Sequence, residues 1–147
     1  MKFNLPLSLV AVCFLLISCK NDGKKEEAEL AQEATKMEMI VEVHDELMPK
    51  MSEISLMITQ LEGSMDGTEA DSLKTKAVED LKDANQAMMT WMMEFSDDYD
   101  SEEVMEGKEL TPEKEALLDT YEASVMELKT TMEGAMDRGQ ALLDAQE

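Results

Sequence analysis

Between Met37 and Leu61, apolar residues recur at regular intervals among polar ones. Apolar side chains and one histidine recur at alternating spacings of three and four, which places them on one face of an α-helix. This stripe consists of Met37, Ile40, His44, Leu47, Met51, Ile54, Ile58 and Leu61. Gly63 and Gly67 follow, and glycine commonly ends a helix. The pattern predicts a first helix over about residues 27–62.

Two further stripes with the same spacing follow along the chain. The second consists of Ala77, Leu81, Ala84, Met88, Trp91 and Phe95, with Leu73 one turn earlier. The third consists of Leu118, Tyr121, Val125, Leu128, Met132, Ala135, Gly139 and Leu142. Thr68 can cap the start of the second helix, and Thr111-Pro112-Glu113 combines a capping hydroxyl, an early proline and an acid at the start of the third. These features predict helices over about residues 69–95 and 112–145.

Three stripes joined by short links predict an all-α fold. We favour an antiparallel three-helix bundle, because three exposed apolar stripes on one chain would otherwise need a partner; an extended coiled-coil hairpin is the alternative. Aromatic residues make up only 4% of the chain and good helix formers dominate, which argues against a sheet. The acidic stretch from Ser96 to Leu110 is predicted to be a connecting loop.

The first residues resemble an export signal. Lys2 is followed by an apolar run from Leu5 to Ile17, which is shorter than the ~20 residues needed to cross a bilayer and fits a cleavable secretory signal. The run ends in Leu16-Ile17-Ser18-Cys19, which resembles the lipobox of bacterial lipoproteins. In that family the peptidase cuts before the cysteine, whose thiol carries a diacylglycerol. We therefore predict a signal peptide over residues 1–18 and lipid attachment at Cys19.

Lipid attachment at Cys19 has consequences for the rest of the chain. Cys13 would leave with the signal, so no free thiol would remain for disulfides or cysteine-based metal clusters. Residues 19–27 are polar and predict a tether, which leaves residues 28–147 for the bundle. Lys20 stands where an aspartate would resemble the inner-membrane retention signal of enteric bacteria. We expect a lipid-anchored protein of the cell envelope, in the outer membrane, and leave its periplasmic or surface face open.

The chain is strongly acidic. It has 13 basic and 34 acidic residues and a formal net charge of -21. Residues 1–18 contain Lys2 and no acid, so their removal changes the net charge to -21 minus 1, or -22. Nucleic acid is excluded as a partner because phosphate binding needs clustered lysine and arginine. An anionic membrane would repel the bundle and leave attachment to the lipid, whereas cations and the basic surface of an envelope protein remain suitable partners.

One histidine and several methionines are the candidates for metal chemistry. Imidazole and thioether ligands suit Cu(I), and an antiparallel arrangement of the first two helices would bring these side chains to similar heights. The candidate ligands are His44, Met48, Met51, Met88 and Met92. We favour a structural interpretation over metal binding. In it, His44 lies at the edge of the core beside a kink at Pro49, and the methionines fill the core. Off-stripe methionines would then form adaptable apolar patches for a partner; these are Met39, Met89, Met93, Met126 and Met136.

Enzyme chemistry has little support in the sequence. There is no Ser-His-Asp arrangement, no glycine-rich phosphate loop and no second histidine for a ferritin-type two-metal site. The acidic residues between Ser96 and Glu109 do not have the ligand spacing of a loop that binds Ca²⁺ tightly. We predict no catalytic residue, no small-molecule substrate and no cofactor apart from the copper alternative.

Two segments carry a resemblance to a known group of proteins. They are His44-Asp45-Glu46-Leu47-Met48-Pro49-Lys50-Met51 and Met88-Met89-Thr90-Trp91-Met92-Met93-Glu94-Phe95. With the lipobox and the closing helix, they resemble small Bacteroidota lipoproteins that are often labelled "viral A-type inclusion protein". The resemblance implies a helical lipoprotein of flavobacterial type. The label implies no viral role, and the group provides no functional residue to carry over to this chain. The resulting prediction is a non-enzymatic envelope lipoprotein with a structural or protein-interaction role, with Cu(I) binding as the alternative.

Overall fold

Three long helices and one short helix form the fold. The computed structural model describes residues 22–69 and 71–145, with side chains from residue 36 onward. The helices are α1 (Asp22–Gly63), α2 (Asp71–Asp98), α3 (Ser101–Met105) and α4 (Pro112–Asp144). Each long helix packs against the other two, and no strand occurs among the described residues. The predicted all-α three-helix bundle is therefore confirmed.

The direction of each helix follows from contacts between side chains. Three ion pairs join α1 to α4, and each links residues that are 83 positions apart, so these two helices run parallel. They are Lys36–Asp119, Glu46–Lys129 and Lys50–Glu133. In contrast, α2 pairs with α4 through Asp80–Arg138 near one end and Asp98–Tyr121 near the other, which makes these helices antiparallel. The chain therefore runs up, down and up.

The core is built from the predicted stripes, with a shift on α1. On α1, Val43 and Met57 are buried, while His44, Met51 and Ile58 are only half-buried. Val43 and Met57 follow Lys36 and Lys50 at intervals of seven, and these lysines pair with α4; His44 and Met51 contact α2. The buried apolar residues of α2 and α4 are Ala77, Val78, Leu81, Ala84, Met88, Trp91, Leu118, Tyr121, Val125, Leu128, Met132 and Ala135.

Leu73 does not join the core, contrary to the prediction. Its side chain is 65% exposed. The Asp80–Arg138 pair fixes the register of α2 against α4, and Leu73 lies two turns beyond Asp80 in the direction in which α4 ends at Asp144. There it lines an open cleft together with Ala141 and Leu142 of α4, which leaves most of its side chain uncovered.

The helix ends agree with the predictions at some positions and differ at others. The Thr111 hydroxyl accepts a hydrogen bond from the Lys114 backbone N–H and Pro112 begins α4, as predicted. Gly67 adopts φ +82° in the turn before α2, a conformation that glycine allows without strain. There the Asp71 carboxylate, rather than the Thr68 hydroxyl, accepts hydrogen bonds from backbone amides of the turn. The first helix begins at Asp22, about a turn before the predicted position.

None of the helices described between residues 22 and 145 contains an apolar stretch long enough to cross a membrane. The predicted signal peptide and Cys19 lie outside the described residues.

Candidate functional site

His44 lies on the seam where α1 meets α2. Its imidazole stacks on the indole of Trp91, with ring centroids 5.9 Å apart and an angle of 26° between the planes. Nδ1 of His44 lies 3.0 Å from the Asp45 carboxylate. Pro49 lies inside α1, and the polar partner of His44 is the neighbouring carboxylate of Asp45. About a quarter of the His44 side chain remains exposed.

Trp91 connects all three long helices. Its ring faces His44 of α1, and its Nε1–H donates a hydrogen bond to Ser124 Oγ of α4 at 2.9 Å. Burial of the indole while its single donor is satisfied makes Trp91 a rigid element of this part of the bundle.

The five side chains predicted as candidate metal ligands differ in how deeply they are buried. Met88 has no exposed surface and belongs to the core. Met51 and Met92 are half-buried against the edge of the core, and Met48 is 40% exposed. A second contact between α1 and α2 joins Asn85 Nδ2 to the Met51 carbonyl at 3.5 Å. It defines the register of these residues along the two helices.

An aromatic cluster extends from Trp91 toward the end of the bundle that carries α3. Phe95 stacks on Trp91 at 5.0 Å and meets Tyr121 edge-on at 5.1 Å, while Tyr99 lies 5.6 Å from Tyr121. The Tyr99 hydroxyl donates to the Lys114 carbonyl at 2.7 Å. Burial, followed by the charge of Asp98, raises the pKa of Tyr99 to about 12. The cluster joins α2 to α4 through both packing and hydrogen bonds.

The predicted loop from Ser96 to Leu110 is wrong for most of its length. Helix α2 continues to Asp98, and α3 occupies Ser101–Met105. Asp100 caps α3 by accepting from the Glu102 and Glu103 backbone N–H groups, while the Glu103 carboxylate accepts from the Asp100 N–H. Glu103 is buried and bonded to Lys114, and this bond is the main cause of its lowered pKa. The segment is thus tied to α4 rather than solvated.

An open groove lies between α1 and α3. Its volume is about 680 Å³. Its apolar residues are Met37, Val41, Val104 and Met105, and the carboxylates beside them belong to Glu38, Glu42, Asp45, Glu103 and Glu106. Met105 is 76% exposed, the largest value among the large apolar side chains of the described residues. The groove thus combines uncovered apolar surface with a negative rim.

The negative rim is only partly neutralised from within the described part of the chain, where Glu103 pairs with Lys114. Glu38, Glu42 and Glu106 form no ion pair there, whereas Lys108 is held by Asp100 and Glu102. Lys114 is likewise engaged by Glu103. The charge of the rim is therefore available to a ligand from outside.

Comparisons with known proteins give no relative. No family model, no curated protein and no solved structure matches the chain. The resemblance to Bacteroidota lipoproteins therefore stays a prediction, as does the lipid attachment at Cys19.

Sequence reasoning missed the groove and α3. The signal for α3 was present, since Asp100-Ser101-Glu102-Glu103 has the spacing of a capping box. The groove had no such signal, because it is lined by residues of α1 and of the α3 segment, which are far apart in the chain. Among residues 36–69 and 71–145, no group of three or more His, Cys, Asp or Glu side chains could hold a metal ion.

Proposed function

We propose that this protein is a non-enzymatic lipoprotein of the cell envelope whose bundle binds a basic segment of a partner protein in the groove between α1 and α3. The observation that carries the proposal is the combination of an exposed apolar side chain, Met105, with the carboxylates of Glu38, Glu42 and Glu106, which form no ion pair among the described residues. The lipid on Cys19 would hold the bundle at the outer membrane, and the bundle would act by binding rather than by catalysis.

The chemistry of the groove favours a lysine- or arginine-rich segment with apolar residues. Lys and Arg side chains lay an apolar stem along a surface and keep the charged head at its edge. Val41 and Met105 can receive the stems, while Glu38, Glu42 and Glu106 can pair with the heads. The acidic bundle would also attract such a segment over a distance, since the chain has a formal net charge of -21.

The proposed anchor rests on the sequence of the first nineteen residues. A basic start, an apolar run and Leu16-Ile17-Ser18-Cys19 occur in the order that lipoprotein processing requires. We expect acyl labelling of the wild-type chain in cells, loss of the label in Cys19→Ala, and retention of the label in Cys13→Ala. A label that persists in Cys19→Ala would contradict the anchor without affecting the groove.

The binding proposal is tested by photo-crosslinking in cells that produce the protein. A photoreactive amino acid replaces Met105 at the groove, or Leu56, which is 59% exposed and lies outside the groove. We expect an adduct of defined mass from position 105 and none of that mass from position 56. Mass spectrometry of the adduct should place the crosslink in a segment rich in lysine or arginine.

Charge reversal provides the matched control. Glu38→Lys with Glu42→Lys should abolish the adduct from position 105, whereas Glu69→Lys with Glu79→Lys, on exposed positions elsewhere, should leave it unchanged. The adduct should also weaken as ionic strength rises, because surface attraction is screened by salt. The same adducts from both photoreactive positions, or an adduct that survives reversal of the groove charges, would overturn the proposal.

A further inference from the structure

The seam between α1 and α2 places soft metal ligands around the single histidine. Two contacts set its register: the stack of His44 on Trp91 and the hydrogen bond from Asn85 to the Met51 carbonyl. Met48 lies on α1 between these contacts, and Met92 directly follows Trp91 on α2. Along the bundle axis, the antiparallel helices therefore place three methionines level with His44 or within two helical turns of it: Met48, Met51 and Met92.

The orientation of His44 is suited to a ligand. Its Nδ1 is engaged by the Asp45 carboxylate at 3.0 Å, and its Nε2 has no hydrogen-bond partner among the described residues. Histidines that bind metals commonly donate the other ring N–H to a carboxylate, which fixes the tautomer and makes the binding nitrogen more basic. The stack on Trp91 further restricts the ring. Nε2 is thus the nitrogen presented to a ligand, and the partly exposed side chain allows entry from solvent.

The methionines around His44 have the freedom to bind. Met48 lies four residues after His44, a spacing at which helical side chains are neighbours. It is 40% exposed, and Met51 and Met92 are half-buried at the core edge. Thioether side chains have three rotatable bonds and adapt to irregular surroundings, which suits them to converge on an ion from two helices. Met88 is excluded because it is fully buried in the core.

The ligand set selects the type of ion. Imidazole and thioether groups favour soft monovalent ions such as Cu(I) and Ag(I), which accept few ligands. Borderline and hard divalent ions need several imidazole or carboxylate ligands, and the described residues contain no group of three or more His, Cys, Asp or Glu that could hold them. The acidic surface raises the local concentration of any cation.

We propose that His44 Nε2, together with the thioether sulfurs of Met48, Met51 and Met92, forms a binding site for one Cu(I) or Ag(I) ion beside Trp91. Binding is by coordination alone, without electron transfer. This site is separate from the groove between α1 and α3. The metal-binding proposal can therefore fail or succeed independently of the partner-binding proposal above.

The chain contains one tryptophan and one histidine, and both belong to the proposed site. The full chain, purified in detergent, is titrated with Ag(I) while Trp91 fluorescence is recorded, because a cation next to the indole face changes its emission. We expect a transition that saturates at one equivalent. NMR of the ¹⁵N-labelled imidazole should show Nε2 shifting on binding, whereas Nδ1 stays hydrogen-bonded.

Variants separate this site from general binding to sulfur. His44→Gln and Met48→Leu should each weaken Cu(I) or Ag(I) binding at least tenfold in competition with a chelator. Met126→Leu on α4 and Met93→Leu on the outer face of α2 are the controls, since both methionines are exposed and are not part of the proposed site. Their affinities should equal that of the wild type, and circular dichroism should show that all four variants are folded.

Three results would overturn the proposal. Equal affinities for the wild type and the His44→Gln, Met48→Leu double variant would show that these residues do not bind the ion. An equal loss in Met126→Leu would show that binding is spread over surface methionines. A shift of Nδ1 in place of Nε2 would contradict the orientation on which the site depends.

Discussion

The phenolic hydroxyl of Tyr121 donates a hydrogen bond to Asp98 Oδ2 at 2.5 Å and joins the first third of α4 to the last turn of α2. Hydrogen bonds to a charged group contribute roughly 1.5–3 kcal/mol, about twice as much as neutral ones. We expect Tyr121→Phe to lower the free energy of unfolding by about 2 kcal/mol, measured by urea denaturation. Tyr99→Phe, which loses a bond to a neutral carbonyl, should cost about 1 kcal/mol. Equal losses would contradict a special contribution from Asp98.

The same cluster makes stability sensitive to alkaline pH. Burial raises the pKa of Tyr99 from its usual value of 10 to about 12 and raises the pKa of Tyr121 as well, with the Asp98 hydrogen bond as a further cause. Because the folded pKa is above the unfolded value, this contribution is complete below pH 10 and is lost as pH rises toward 12. The free energy of unfolding should therefore fall between pH 10 and pH 12. The fall should be shallower in Tyr99→Phe, and an identical slope would show that Tyr99 does not contribute.

Two adjacent methionines on α2 should respond very differently to truncation. Met88 is fully buried, whereas Met89 is 49% exposed. Replacing a buried methionine by alanine removes apolar contacts and leaves a cavity, at a cost of roughly 2–5 kcal/mol. We expect Met88→Ala to lose that amount in urea denaturation, and Met89→Ala to change stability by no more than about 0.5 kcal/mol. A similar loss in both would mean that the outer face of α2 is covered.

The two glycines of α4 provide a second matched pair. At Gly134 an added Cβ would lie 3.3 Å from a guanidinium nitrogen of Arg138, which is the flexible end of a side chain. Gly134→Ala should therefore gain up to about 1 kcal/mol in unfolding free energy from better helix propensity. At Gly139 the added atom would lie 3.2 Å from Leu81 Cδ1, in a fully buried side chain that cannot move away easily. Gly139→Ala should not be stabilised, and thermal denaturation of both variants tests the contrast.

Glu103 should make the α3 segment sensitive to acid. Its pKa is lowered chiefly by the hydrogen bond from Lys114 and then by the Asp100 backbone N–H. A lowered folded pKa means that the contribution is present above the usual value of 4.5 and is lost as pH falls below it. Glu103→Gln should thus lower the urea midpoint at pH 7 but hardly at pH 3. Glu106→Gln, which removes an exposed carboxylate, should leave the midpoint unchanged; a pH-independent effect at Glu103 would contradict this role.

The sequence predicted the long helices well because their stripes have a single period and clear end signals. Thr111-Pro112 specified the start of α4 locally, and the structure confirms it. Helix α3 escaped prediction because its acids looked solvated, although Glu103 is buried by a lysine that α4 supplies. The burial of Glu103 depends on a partner eleven residues away, and a periodicity argument cannot detect that.

The ligand candidates show a similar limit. The stripe placed Met88 in the core, and the structure agrees. The half-buried side of α1, with His44, Met51 and Ile58, depends on where α2 and α4 pack. The apolar stripe of a single helix does not contain that information. His44 was recognised as unusual, but its stack on Trp91 depends on the register between α1 and α2.

The register between α1 and α4 also makes the first helix a spacer. With an offset of 83 residues, Pro112 is level with residue 29, so residues 22–28 extend about 10 Å beyond α4 at 1.5 Å per residue. The path along α1 from residue 22 to His44 is about 33 Å. If Cys19 carries lipid, this rod lets the seam stand several Debye lengths of ~8 Å away from an anionic bilayer. The seam held at that height is shielded from the charge of the lipid head groups, whereas the near end of the bundle lies only about one Debye length beyond residue 22.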